Sequence, residues 1–241
     1  MRAINQAELE QAIVRNCAPT LAALKPASLF TFPGVFMSDG TANEQKYAEQ
    51  NRKTFSEVAQ TCAEQLETAG INLRILVWRP CGALIYVYRQ KMLQSHLSDE
   101  RAAAPLRNEG YRINDLNACL NRLARRIADA GKRAITNDDT GKRTPADSNP
   151  LTEAHSCPCA NETCRREFPH ELGYFLGYPY ADVTEFIRQH GENYLEFGMW
   201  KIYTERERAL ETFARYRRCT RSMMRAYRRH GRLEGLAARV R

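Results

Sequence analysis

Long apolar stretches are missing from this chain: no 18 consecutive residues are apolar, and the best uncharged run is Cys81 to Tyr88. A helix needs about 20 such residues to cross a bilayer, so no membrane-spanning helix is expected. The opening residues, MRAINQAELEQ, lack the apolar core of a secretory signal. Glycine-rich phosphate loops and Ser-His-Asp elbows are absent, which removes the commonest nucleotide-hydrolase and esterase readings. No repeat of fixed period is visible, so a solenoid is not expected. These absences leave a cytoplasmic location as the expectation. In a reducing compartment the eight cysteines are then read as thiols or metal ligands rather than disulfides.

What the chain does contain is an ordinary globular balance: of 241 residues 43% are hydrophobic and 27% charged, enough to bury a core without disulfide support. The net charge of +8 is unevenly placed. Residues 201–241 hold 13 Lys or Arg against 4 acids, leaving 23 bases and 24 acids in the rest of the chain. A near-neutral body with a basic tail points to an acidic partner for one segment: nucleic acid, a membrane surface or an acidic protein surface.

Apolar spacing yields an α+β fold class, with a small, mainly antiparallel sheet flanked by helices and a long basic C-terminal helix. Residues 5–16 read as a helix capped by Asn5, with Pro19 discouraging its continuation. Phe55, Val58, Cys62 and Leu66 mark a second helix over 42–69, and Leu116, Leu120, Leu123 and Ile127 mark another over 114–130. Strands are expected at Leu29 to Phe32, Asn72 to Trp78, Ala83 to Tyr88 and Phe197 to Tyr203, the middle two forming a hairpin. Because both hairpin runs are apolar at consecutive positions, each is expected to lie centrally and covered on both faces. Trp78 and Trp200 should be largely buried. Thr204 and Glu207 have the spacing of a capping box for the last helix. The domain reading is a core over 1–203, interrupted by a polar insertion at 131–166, followed by an amphipathic basic helix over 204–241.

Three patches carry a resemblance: Cys17-Ala-Pro-Thr-Leu-Ala-Ala-Leu-Lys25, Phe168-Pro-His-Glu-Leu-Gly-Tyr-Phe-Leu-Gly-Tyr-Pro179 with Asp182-Val183 and Phe186-Ile187, and Gly198-Met-Trp-Lys-Ile-Tyr203. Together they resemble a bacterial family known as domain of unknown function 3793. The resemblance runs from the first helix to Cys219, with 131–166 and the tail beyond Cys219 looking like additions. It implies no activity, only that these patches form one unit.

Within those patches Cys17, Lys25, His170 and Glu171 are the most reactive side chains. A thiolate requires a neighbouring base or cation, and a His oriented by a carboxylate can supply it, so the four are candidates for one thiol/His site binding a small molecule. His170, placed at an expected helix start, should have its pKa lowered by the helix dipole. The insertion holds His155, Cys157, Cys159 and Cys164, a ligand set suited to zinc or an iron-sulfur cluster although the spacing departs from paired Cys-x₂-Cys. Leu172 to Ile187 imitates a helix-turn-helix, but Asp182 and Glu185 on its second helix would repel phosphates. The last helix sets Leu210, Phe213, Thr220, Met223, Met224 and Tyr227 on one side. Arg215, Arg218, Arg221, Arg225, Arg228, Arg229 and Arg232 line the other. Two functions follow: a small-ligand-binding protein with a thiol/His site, or a nucleic-acid-binding protein that uses the arginine-rich helix and the helix-turn-helix-like hairpin.

Overall fold

The computed structural model describes residues 5–136 and 168–237. Among them are eight helices, a three-stranded antiparallel sheet and a two-stranded one, the α+β class expected from the spacing. The chain divides into two compact units, residues 1–93 with 214–241 and residues 94–213. These limits differ from the boundary between residues 203 and 204 anticipated above, because the last helix contributes to both units rather than standing apart.

In the first unit α1 (Gln6–Leu21) is capped by Asn5, whose side chain accepts from the Glu8 N–H. This helix runs five residues past its expected end, straight through Pro19. The proline only removes an N–H that would have bonded the carbonyl of Arg15, on the exposed side, whereas Cys17, Ala18 and Leu21 on the inner side are fully buried. Burial therefore overrides the local signal. Helix α2 (Ala42–Glu67) opens with a capping box between Thr41 and Glu44, and it buries Phe55, Cys62 and Leu66.

Strands β1 (Ala27–Pro33), β2 (Ile71–Arg79) and β3 (Gly82–Arg89) pair in the order β1-β3-β2, all antiparallel. β3 is the central strand and buries every residue, as its apolar run requires. β2 is an edge strand and mostly half-buried, contrary to the central position expected for it. Asn72 and Arg74 are the reason: polar groups at alternate positions suit a strand with one open side. Trp78, expected to be largely buried, is only half-buried for the same reason. The core of this unit joins one sheet face, with Phe30, Phe32, Ile85 and Val87, to the inner sides of α1 and α2. Residues 214–230 of the last helix add Tyr227, Met223 and Met224 to that core.

The second unit begins within α3 (Gln90–Ser98) and continues through α4 (Glu100–Asn108), α5 (Leu116–Thr136), α6 (Leu172–Phe175) and α7 (Tyr180–Arg188). The expected strand at 197–203 is instead a tight hairpin, β4 (Glu196–Phe197) with β5 (Lys201–Ile202), and it does not join the three-stranded sheet. Gly198 turns the chain there. A Cβ on it would run into the ring of Phe213, so no larger residue fits under that buried aromatic. Trp200 is 5% exposed, as expected, and packs edge-on against Phe213. Helix α8 (Arg206–His230) follows, its residues up to 213 belonging to this unit.

Candidate functional site

Cys17 and Lys25 come together in the first unit, at the end of α1 and the entry to β1. The Cys17 thiol hydrogen-bonds Ser28, whose hydroxyl lies 2.8 Å from that of Thr20. Burial pushes the Cys17 thiol up to about 12 despite the nearby Lys25 ammonium. Burial also draws the Lys25 ammonium down to about 8, against the opposing effect of Cys17. At neutral pH the thiol is thus undissociated and fully enclosed, which is the state of a packing cysteine rather than an activated one.

Beside it lies a residue that the candidate set did not include. Arg89, 3% exposed, donates from Nε to the Thr20 carbonyl at 2.7 Å, from Nη2 to Leu21 at 2.6 Å and from Nη1 to Ala69 at 3.0 Å. Carbonyls at the end of a helix have no partner within it, and a guanidinium satisfies them while complementing the helix dipole. A basic residue ending an otherwise apolar strand was the sequence signal for it.

His170 and Glu171 belong to the second unit. His170 is half-buried with its ring edge on Phe186, and its pKa is lowered by burial first and by His190 second. The direction matches the expectation, but the cause differs: α6 starts only at Leu172 and is a single turn. Glu171 is buried, accepts the Tyr111 hydroxyl at 2.8 Å and pairs with Arg126 at 2.6 Å. Its carboxylate is therefore committed to holding α5 and the Tyr111 segment. The four residues proposed as one thiol/His site fall two in each unit.

The hairpin of α6 and α7 brings Gly173 against Val183, where a Cβ would meet the valine at 2.8 Å. Asp182, expected to face phosphates, is instead buried. It accepts from Trp200 Nε1, from the backbone N–H groups of Tyr203 and Thr204, and from the Thr204 hydroxyl, at 2.8 to 3.0 Å. Thr204 is thereby drawn away from the capping box expected with Glu207. With a four-residue first helix and its key acid used as a clamp, this hairpin is a structural tie, not a base-reading element.

His155, Cys157, Cys159 and Cys164, the candidate zinc ligands, lie outside the described residues. Among the described residues no group of three or more His, Cys, Asp or Glu is placed to hold a metal, and the five described cysteines are free thiols. No described helix is long and apolar enough to cross a membrane.

The arginines of α8 present the clearest chemistry. Tyr216 and Tyr227 fix the helix to the first unit, their hydroxyls donating to the Leu24 carbonyl and to the Glu10 carboxylate at 3.3 and 3.1 Å. Arg215, Arg218, Arg221, Arg225, Arg228 and Arg229 are all exposed, together with Arg217, which the sequence reading omitted, and Arg232 just past the helix end. At ~100° per residue the seven within the helix fall within an arc of about 160°, opposite the buried tyrosines. Between residues 214 and 232 there is no Asp or Glu. Arg215 leans over Tyr216; among the described residues none of the other seven has an ion-pair partner. Elsewhere Arg101, Arg107, Arg126, Arg188, Arg206 and Arg208 are all paired with carboxylates.

Comparison with curated proteins and with solved structures finds no match to this chain. A protein family does match, over residues 13–141 and 142–237. The match continues through the segment at 131–166 and past Cys219, so neither is set outside the family as the first reading had it, and the arginine ridge lies within it. The chain accordingly belongs to the family described as protein of unknown function (DUF3793), in agreement with the three patches that first suggested it.

Proposed function

We propose that this protein binds nucleic acid through the arginine ridge of α8. The observation that carries the reading is the clustering of exposed guanidiniums without carboxylate partners along one side of a single helix, whereas six other arginines, Arg101, Arg107, Arg126, Arg188, Arg206 and Arg208, are paired with carboxylates. Guanidinium groups contact phosphate oxygens two at a time, so such a row is matched to a polyanion. A membrane surface suits it less. An interfacial helix inserts its apolar side among the lipids, whereas the apolar side of α8 is already committed to the protein core. The thiol/His reading is weaker because its nucleophile is enclosed and held as the neutral thiol.

The test is binding of a labelled oligonucleotide, followed by fluorescence anisotropy at low salt, for wild type and for Arg225→Glu with Arg228→Glu. Both positions are exposed, and circular dichroism checks that the double variant keeps its helix content. Loss of binding by a folded double variant is expected; retained binding, or none by wild type, refutes the proposal.

A further inference from the structure

Building on the proposed nucleic-acid binding, we infer that the ridge is made for a duplex rather than a single strand, and that it holds the duplex by phosphates with little regard to sequence. Proteins that grip single strands combine a cationic groove with exposed aromatic rings on which unstacked bases lie. The ridge has none. The two tyrosines between residues 214 and 232, Tyr216 and Tyr227, are 7% and 8% exposed and face the core with their hydroxyls already bonded, and the exposed His230 ring lies off the arginine arc at the helix end. That segment also contains no Asn or Gln, the side chains that pair with adenine edges. Besides the guanidiniums, the segment exposes only the Ser222 hydroxyl and the His230 imidazole as polar side chains.

Charge density points the same way. From Arg215 to Arg229 the helix rises about 21 Å at ~1.5 Å per residue. Over that length a duplex carries roughly twelve phosphates, one per ~1.7 Å of axis, and one stacked strand about six. The seven arginines over that length exceed the about six phosphates of a single strand and fall within what two strands present. The anchoring of α8 by its tyrosines sets the same limit on sequence reading. With its inner side held against the protein core, the helix offers only its outer half to the ligand, and the nearest groups on the duplex are the phosphates bordering a groove.

The experiment uses the full chain and three probes of equal length at low salt: two 20-base-pair DNA duplexes of unrelated sequence, and one of their strands alone. Anisotropy titration is expected to show the two duplexes bound within twofold of each other, and each at least tenfold tighter than the single strand. Equal or tighter binding of the single strand overturns the duplex assignment while leaving the ridge as a nucleic-acid site. A tenfold difference between the duplexes overturns the phosphate-only assignment. Failure of all three probes to bind overturns the underlying functional reading as well. Arg221→Gln with Arg225→Gln, which keeps helix-forming side chains, provides a control whose fold is secure: it should weaken both duplexes by the same factor.

Discussion

The arginine ridge should make the free protein less stable than it would otherwise be, and removing two charges should reveal by how much. Residues three or four apart on a helix are neighbours. The ridge contains six such arginine pairs within α8: 215 with 218, 217 with 221, 218 with 221, 221 with 225, and 225 with both 228 and 229. At ~0.2 to 0.5 kcal/mol for each like-charge pair, they cost about 1 to 3 kcal/mol at low ionic strength. Arg221→Gln with Arg225→Gln eliminates five of the six, for an expected gain of about 1 to 2.5 kcal/mol, since glutamine is nearly as good a helix former as arginine. Arg228 and Arg229 remain, where they complement the dipole at the C-terminal end. Urea unfolding followed by circular dichroism measures the difference. It should shrink to a few tenths of a kcal/mol in about 0.5 M salt, where charges this far apart are screened. A variant less stable than wild type at low salt, or a gain that persists in high salt, would show that the guanidiniums are not a self-repelling array, and the case for an absent polyanion would lose its physical basis.

Three further outcomes are expected. Arg89→Met should cost at least ~2 kcal/mol in urea unfolding, because the buried Leu21 and Ala69 carbonyls lose the guanidinium at ~1 kcal/mol or more each while Thr20 keeps the Ala23 N–H; a loss under 1 kcal/mol would mean that water reaches those helix ends. Gly198→Ala should cost at least ~2 kcal/mol by displacing the buried Phe213 ring, read as a lower midpoint with circular dichroism otherwise native, and a neutral substitution would contradict the close approach. His96 is held down to about 4 by burial while stacked on Tyr180, so between pH 4 and 6.5 the unfolded state binds the extra proton. Stability should therefore fall on acidification through that window, by about 2 kcal/mol after allowance for partial exposure, and His96→Phe should remove that portion of the pH dependence.

The element types were largely legible from apolar spacing. Phe55, Ala59, Cys62 and Leu66 in α2, and Leu120, Leu123 and Ile127 in α5, repeat every three to four residues because each helix buries one side. Errors arose where tertiary contact outweighed a local preference. Pro19 is carried inside α1 by the burial around it, and Gly198 folds what looked like one strand into a hairpin because Phe213 needs the space. The partners of Asp182 and Arg89 are brought together only by the fold: Arg89 bonds carbonyls 68 and 69 residues away, and no periodicity announces that. The ridge was readable because it is local. A helix repeats its outer side within a few residues, so seven of its eight arginines were identified from spacing alone.

The central claim is that α8 binds phosphates with its unpaired arginines, and the salt dependence of duplex binding tests it most directly. Each phosphate contact adds about 0.9 to the log-log slope of affinity against salt concentration. Engagement of about five of the eight arginines predicts a slope near −4.5 for wild type, and Arg225→Glu with Arg228→Glu should reduce its magnitude by about 2 where binding can still be measured. A wild-type slope between about 0 and −1, or the same slope in both proteins, would contradict the account.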